Sequence, residues 1–183
     1  MLERAPGSFG APVSPEAGAV RRLPAASRLS LRIKDSRVGT PCPVARLSLD
    51  QPINRVSATD GRFAARLGPD EWLIIAAPSE ADDLRSSITE ALADRFHALV
   101  DVSRASVAFA VEGRAAEDIL NAGCPLDLDA RHFPAGSVTR TVLGKCEIIL
   151  FRLSDLVFRV ECGRSFGDYV HAFLLEAAAL NAQ

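Results

Sequence analysis

A strand–turn–strand–helix pattern that occurs twice is the feature of this sequence that most constrains its fold. The two copies cover residues 62–93 and 146–180. In each copy, two segments with strand-like apolar patterns flank a short turn, and a segment with apolar residues at helical spacing follows. Such a helix buries its apolar stripe by packing on the sheet that its hairpin helps to form. The sequence therefore predicts an internal repeat of supersecondary structure.

Further strands and one further helix complete the predicted fold. The strands are expected at residues 46–56, 96–102, 106–111 and 139–143. The helix is expected from about residue 114 to Gly123, because a glycine with Pro125 just beyond it is typical of a helix end. The sum is an α+β fold, in which an antiparallel or mixed sheet is covered by three helices, mainly on one face.

A change in composition near residue 40 predicts the domain organisation. The first part of the chain is dominated by Ala, Pro, Gly and Ser and has almost no large apolar side chains. Such a segment cannot bury enough surface to fold by itself. We therefore expect residues 1–40 to form a flexible tail and residues 41–183 to form a single α+β domain.

Composition also excludes several classes of function. The formal net charge of −2 provides no positive field of the kind that attracts phosphate backbones, so nucleic acid is not an expected partner. No segment approaches the roughly 18 to 20 apolar residues of a membrane-spanning helix, and the start of the chain lacks the pattern of a signal peptide. We expect a soluble, cytoplasmic protein that does not contact a membrane.

Neither the cysteines nor the glycines form a cofactor motif. The four cysteines, at positions 42, 124, 146 and 162, have no metal-ligand spacing, and we interpret them as reduced, mostly buried thiols. No G-x-G pattern occurs, so the chain lacks both the dinucleotide fingerprint and a phosphate-binding glycine loop.

The segment Gly163–Gly167 matches the G-x-S-x-G pattern of a hydrolase nucleophile elbow and lies between a predicted strand and a predicted helix. A catalytic triad would need an acid and a histidine from separate downstream elements. Here Asp168 and His171 lie on the same predicted helix as Ser165 and cannot close a triad around it. We therefore interpret Ser165 as the N-cap of the last helix, with Asp168 three residues later.

Two other groups of residues invite a functional interpretation. Asp127, Asp129 and His132 resemble a small metal cluster, but their spacing matches no established site, and a polar loop accounts for them. We interpret His97 and His171 as surface histidines or as core histidines with satisfied hydrogen bonds.

Two further features of the first repeat have structural interpretations. Trp72 is expected in the core. The arginines of this repeat are interleaved with acidic residues and predict a solvated mixed face. They are Arg62, Arg66, Arg85 and Arg95. The chain is therefore predicted to carry no catalytic, cofactor-binding or metal-binding residue.

Three stretches carry a family resemblance: residues 67–76, 100–136 and 164–176. The middle stretch is the most specific, because Asp-Val-Ser at 101–103, then Gly113, then GCPLDL at 123–128 occur in one family's order. This part of the chain resembles the γ subunit of heterotetrameric sarcosine oxidase and, more distantly, the folate-binding fold of the glycine-cleavage T-protein family. The likeness covers about residues 45–181. Arg114 is a departure from this resemblance, because proline is expected after Gly113 in many relatives.

The resemblance implies a non-catalytic γ subunit that works with α, β and δ subunits. In such a complex a flavin on another subunit takes a hydride equivalent from the N-methyl carbon of sarcosine, which becomes glycine. The one-carbon unit passes to tetrahydrofolate or leaves as formaldehyde, and oxygen reoxidises the flavins. FAD, FMN, NAD, zinc and tetrahydrofolate are implied on the partner subunits and none of them on this chain.

Two alternatives remain open at this point. The first is a stand-alone folate-binding or one-carbon-transfer module of the T-protein kind, although the chain is about half the length of such proteins. The second is a γ subunit of a related complex that oxidises another N-methyl amino acid, such as N-methylglutamate.

Overall fold

The structure, a computed structural model, describes residues 18–34, 43–44 and 46–181, with only the backbone of residues 43 and 44. The strands are β1 (Ala19–Arg22), β2 (Ser27–Ile33), β3 (Pro43–Val44), β4 (Leu47–Ser48), β5 (Arg55–Thr59), β6 (Arg62–Arg66), β7 (Glu71–Ala76), β8 (His97–Asp101), β9 (Ser106–Glu112), β10 (Val138–Leu143), β11 (Cys146–Ser154) and β12 (Val157–Gly163). The helices are α1 (Ala81–Ala91), α2 (Ala116–Asn121) and α3 (Gly167–Leu180). Short 3-10 turns precede α1 and α3, at Pro78–Glu80 and Arg164–Phe166. The predicted α+β class is confirmed.

The chain divides into two compact units, each built on its own five-stranded sheet. Of the described residues, the first unit holds 25–103 and the second holds 18–24 together with 104–181. The strand order is β5-β6-β7-β2-β8 in the first sheet and β10-β11-β12-β9-β1 in the second. The strand pairs within these sheets are all antiparallel. β3 and β4 form a separate two-stranded pair.

The two sheets share one order of elements, which confirms the predicted repeat and extends it. β6, β7 and α1 correspond to β11, β12 and α3, and β2 takes the same place as β9. The last place is filled differently in the two units. β8 follows α1 directly along the chain, whereas β1, at the corresponding edge of the second sheet, precedes every other element.

The first unit packs α1 against one face of its sheet. α1 buries Leu84 and Ile88, which lie one turn apart, and Leu92 follows just after the helix. These side chains join one apolar cluster with residues of the sheet, among them Leu31 and Trp72. Trp72 is 2% exposed, so its prediction as a core residue is confirmed.

The second unit packs α2 and α3 on its sheet. α2 buries Ile119 and Leu120, and α3 buries Val170 and Leu174. All four belong to one cluster with Phe109 of β9. Among the described residues, no helix is long and apolar enough to cross a membrane.

Gly123 lies where three elements of the second unit meet. Its carbonyl accepts a hydrogen bond of 2.9 Å from the N–H of Gly144 in the turn between β10 and β11. A Cβ atom on Gly123 would lie 2.5 Å from Cζ of Phe173 on α3 and 2.9 Å from the nitrogen of Gly144. Gly123, two residues after the end of α2, therefore permits the close contact of α3 with the β10–β11 turn.

The organisation of the chain differs from the prediction at its start. β1 and β2 lie inside the segment expected to be a flexible tail, so that expectation is wrong for residues 19–33. Both strands are held by pairing with strands far along the chain, an interaction that local composition does not reveal. Residues 1–17 and 35–40 of the predicted tail lie outside the described residues. Two compact units replace the single domain predicted for residues 41–183.

The strand predicted at residues 46–56 is also interrupted. β4 and β5 occupy only its ends. Between them Asn54 has a φ of 64°, a left-handed conformation that asparagine tolerates better than most residues. A turn therefore replaces the middle of the predicted strand.

Replacing Gly123 by alanine is expected to lower the free energy of unfolding by about 1–3 kcal/mol, because Phe173 and the Gly144 backbone must move to admit the methyl group. Urea denaturation measures this change. Gly68→Ala is the control, since its Cβ would meet Glu71 at an ordinary distance of 3.6 Å. Equal losses in the two variants would contradict the packing role of Gly123.

The start of α1 predicts a pH-dependent contribution to stability. The Glu80 carboxylate accepts hydrogen bonds from Nε of Arg62 at 3.0 Å and from the N–H of Ala77 at 3.3 Å. The side-chain hydrogen bond from Arg62 is the main reason that the pKa of Glu80 lies below its ordinary value. A carboxylate with a lowered folded-state pKa stabilises the fold above its unfolded-state pKa, and this contribution is lost as the pH falls through the folded-state pKa.

Glu80→Gln is therefore expected to destabilise the chain by about 0.5 kcal/mol at neutral pH, a small value because the ion pair is partly exposed. The difference from the parent should shrink towards about pH 2, where the parent carboxylate is protonated too. Urea denaturation at the two pH values measures it, with Glu90→Gln on the exposed face of α1 as control. A difference that is independent of pH would contradict the role of the ionised carboxylate.

Candidate functional site

A buried guanidinium organises one end of the second unit. Arg152 of β11 is 2% exposed. Its Nη1 donates to the carbonyls of Leu128 at 2.6 Å and Phe133 at 3.2 Å. Its Nη2 donates to the Glu117 carboxylate at 2.7 Å and to the carbonyl of Asp155 at 2.9 Å. A buried charge is tolerated only when it is paired and hydrogen-bonded, and these four partners meet that requirement. Because they lie on α2, on the loop after it and on the β11–β12 turn, Arg152 holds these three elements together.

The guanidinium of Arg152 also lies on an aromatic face, with Cζ 5.0 Å from the ring centroid of Phe158. A cation–π contact adds to the attraction at a desolvated site. All the described partners of Arg152 therefore lie in its own unit, and the Arg152 side chain anchors α2 and the neighbouring loops to the sheet.

Arg152 holds a loop, residues 127–133, whose charged side chains pair with one another. Nδ1 of His132 lies 2.5 Å from Oδ2 of Asp127. Arg131 donates to both carboxylate oxygens of Asp129, at 2.8 and 2.9 Å. The N–H of Asp129, and then His132, lower the pKa of Asp127. The Arg131 side chain is the main cause of the lowered pKa of Asp129.

These contacts bring the three residues of the metal hypothesis into one loop but divide them between the Asp127–His132 hydrogen bond and the Asp129–Arg131 ion pair. Within residues 18–34, 43–44 and 46–181 no group of three His, Cys, Asp or Glu side chains is placed to hold a metal ion. The lowered pKa values of Asp127 and Asp129 keep both carboxylates ionised at neutral pH, and an ionised carboxylate is a poor general acid.

Ser165 is exposed and lies in the 3-10 turn before α3. α3 has Phe166 as its N-cap, and no side-chain hydrogen bond caps it, so the prediction of Ser165 as the N-cap is wrong. The short 3-10 turn moves the start of the helix beyond the serine. Asp168 is exposed, with Arg22 of β1 at 3.9 Å. The serine of the G-x-S-x-G pattern therefore lies on the surface just before α3, and Asp168 contacts Arg22.

The two histidines away from the loop have structural surroundings. Nδ1 of His97 lies 2.9 Å from the carbonyl oxygen of Arg95, and the ring is half-buried. The ring of His171 stacks on Phe109 with centroids 5.2 Å apart. The hydrogen bond of His97 and the ring stacking of His171 agree with the interpretation of both residues as structural histidines.

The arginines of the first repeat differ from one another in environment. Arg62 and Arg85 pair with carboxylates at the start of α1, on the partly solvated face that was predicted. Arg66 is instead 8% exposed, with its guanidinium 5.2 Å from the centroid of the Trp72 ring. It donates to the backbone carbonyls of residues 51, 68 and 69. The prediction of a solvated face is wrong for Arg66, because the cation–π contact and these carbonyls compensate its burial.

Three cysteines are free and buried, as predicted: Cys124, Cys146 and Cys162. Burial is the main cause of the raised pKa of the Cys146 thiol. A thiol with a raised pKa stays protonated at neutral pH and is a poor nucleophile. Cys42 lies outside the described residues.

A buried ion pair on β12 was missed by the sequence analysis. Arg159 donates to Oε1 of Glu161 at 2.8 Å through Nε and at 2.5 Å through Nη2. Both side chains are nearly inaccessible, at 3% and 2% exposure. They alternate with buried Phe158 and Val160, a pattern that sequence reading assigns to a strand with one solvated face. Both faces of β12 are in fact buried.

Arg152→Met is expected to lower the free energy of unfolding by about 3–5 kcal/mol, because it keeps much of the side-chain volume but leaves buried carbonyls without their donor. Urea denaturation measures the loss. Arg131→Met on the exposed loop is the matched control and should leave stability nearly unchanged. A loss for Arg152→Met no larger than that of the control would contradict the role of Arg152 as an anchor.

Comparison with known proteins agrees with this structural picture. The sarcosine oxidase subunit gamma of Corynebacterium sp. (strain U-96) is 26% identical over 158 residues, which are 86% of this chain and 72% of that protein. The heterotetrameric sarcosine oxidase from Corynebacterium sp. U-96, in complex with pyrrole 2-carboxylate, contains a chain that superposes with a TM-score of 0.79. The identity there is 24%, over 91% of this chain and 86% of that chain.

A more distant likeness concerns the fold. The glycine cleavage system aminomethyltransferase T from Bartonella henselae superposes with a TM-score of 0.65 at 13% identity, over 88% of this chain but only 46% of that one. The model of the sarcosine oxidase, gamma subunit family matches residues 43–180, well over half of the chain. This chain therefore belongs to the sarcosine oxidase gamma subunit family.

Proposed function

We propose that this chain is the γ subunit of a heterotetrameric, flavin-dependent sarcosine oxidase and that it supplies no catalytic side chain to the complex. The observation that carries the proposal is the family match over residues 43–180, which includes the buried Arg152 anchor and the loop that it holds. The Corynebacterium relative carries the same subunit name.

The chemistry of the described side chains supports a non-catalytic role. The polar residues that a reaction would need are each engaged in local contacts: Asp127 with His132, Asp129 with Arg131, and Arg152 with backbone carbonyls. A reaction centre instead needs an acid, a base or a nucleophile that converge on one position. The contacts of the described side chains therefore fit a subunit with a structural role.

In the proposed complex, the oxidation takes place on partner subunits. Sarcosine, oxygen and water give glycine, formaldehyde and hydrogen peroxide, or the one-carbon unit passes to tetrahydrofolate. FAD, FMN, NAD, zinc and tetrahydrofolate would be held by the α, β and δ subunits. A cytoplasmic location is part of the proposal, and the free, buried cysteines support a reducing compartment.

Exposed apolar side chains offer surface for subunit contacts. Phe96 is 82% exposed and Val100 is 54% exposed in the first unit, and Leu180 is 70% exposed in the second. Apolar and aromatic side chains are enriched in the buried centre of subunit interfaces, so we expect partner contacts at these positions.

A stand-alone folate-binding or one-carbon-transfer module is the second candidate, because the fold also matches aminomethyltransferase T. The chain spans less than half of that protein's length, which disfavours a complete folate site. A γ subunit of a complex for another N-methyl amino acid is the third candidate. The substrate would be selected on another subunit in that case, so only an assay separates it from sarcosine.

Co-purification from the native cells tests the proposal. The tagged chain should bring down three further subunits, and the eluate should show the visible absorption of flavin and produce peroxide when sarcosine is added. N-methylglutamate and dimethylglycine are tested in the same assay as alternative substrates to sarcosine. The tagged chain purified alone is the control.

The alternatives predict different results. A colourless single chain that binds tetrahydrofolate in a titration would favour the stand-alone module. A yellow complex that produces peroxide with another N-methyl amino acid but not with sarcosine would keep the subunit role and overturn the substrate.

A further inference from the structure

The edge of the second sheet is closed by a strand from a distant part of the sequence. β1 pairs with β9 from Ala19 opposite Glu112 to Arg22 opposite Phe109. The N–H of Leu23 extends the ladder with a hydrogen bond of 2.8 Å to the carbonyl of Ala108. In the first sheet, the same place belongs to β8, which follows its own helix along the chain. The edge of β9 is thus filled by a separate segment.

The segment fits this edge through its small and apolar residues. Val20 packs against the apolar cluster of the second unit. Gly18 approaches α2 so closely that a Cβ atom would lie 2.3 Å from Cδ1 of Ile119 and 3.2 Å from Cβ of Ala115. A Cβ atom at position 18 would therefore displace the terminal methyl group of Ile119 and crowd Ala115, and a larger side chain would crowd α2 further. Val20, two positions later, packs beside the core.

Charge adds a further element of recognition. Nη2 of Arg21 lies 2.9 Å from Oε1 of Glu112, and the two side chains are 29% and 20% exposed. A partly desolvated ion pair of this kind fixes register more strongly than a fully exposed one. Arg22 contributes less, because its partner Asp168 is fully exposed and 3.9 Å away.

We propose that the edge of β9, with Ile119 of α2 and Glu112, is a strand-binding site that recognises the pattern Gly-x-Val-Arg. The site is filled by residues 18–23 of this chain and accepts the same sequence supplied in trans. Backbone hydrogen bonds to an open sheet edge provide affinity, and the contacts of Gly18, Val20 and Arg21 provide specificity. The N-terminal strand is then a separable element of the second unit.

Cleavage of the folded full chain tests this proposal. A specific protease site inserted between Pro24 and Ala25, both exposed, lets the chain fold before the connection is cut. Gel filtration and native mass spectrometry then show whether the N-terminal fragment stays bound. A fluorescent peptide of residues 18–24 in excess tests exchange by anisotropy, with Gly18→Val and Val20→Asp peptides as matched controls.

We expect the fragment to co-elute with the cut chain, to be replaced by the parent peptide, and to be replaced at least roughly tenfold less well by either control peptide. A domain-swapped dimer of the uncut chain that separates on cleavage and peptide addition would support the same site. Immediate loss of the fragment on cleavage, a fragment that never exchanges, or equal binding of parent and control peptides would overturn the proposal.

Discussion

Hydrogen bonding between strands far apart in the sequence holds each unit together. β2 pairs with β7 and β8, and β9 pairs with β12 and β1, so the inner part of each sheet depends on non-local ladders. The helices add their apolar faces only to the surfaces that these ladders assemble. α2 has six residues, far fewer than an isolated helix needs to be stable in water. Its Ile119 and Leu120 stabilise it because the sheet is already in place.

Buried charge takes a structural role in this chain. Residues 123–128 belong to the most specific stretch of the family resemblance, residues 100–136. They contain the glycine that lies against Phe173 and end at Leu128, whose carbonyl accepts a hydrogen bond from Arg152. These are requirements of packing and hydrogen bonding. The same contacts hold the charged loop after α2, residues 127–133, at both ends, through Leu128 and Phe133.

Local patterns predicted the elements that local interactions determine. The hairpins, α1, α2 and the buried Trp72 follow from alternation, helical spacing and turn residues, and all are present, although α2 ends at Asn121, two residues before the predicted Gly123. β1 was missed because an edge strand of four residues has little pattern of its own and exists through its pairing with β9. The division into two units was missed because it depends on which strands pair with one another, and local patterns do not specify that pairing. The burial of Arg66, Arg152, Arg159 and Glu161 was missed because a charged residue in a strand predicts a solvated face unless its partners are known.

We infer that catalysis in the complex uses no side chain from this subunit, and turnover by the assembled complex tests this inference most directly. One variant combines Ser165→Ala, Asp127→Asn, His132→Asn and His171→Phe, the last of which keeps an aromatic ring over Phe109. Sarcosine turnover is measured per flavin-containing complex. We predict a turnover number within about twofold of the parent, because no substituted group contacts reacting atoms. A fall of roughly a hundredfold or more with assembly and flavin content unchanged would contradict the claim and place a catalytic group on this chain.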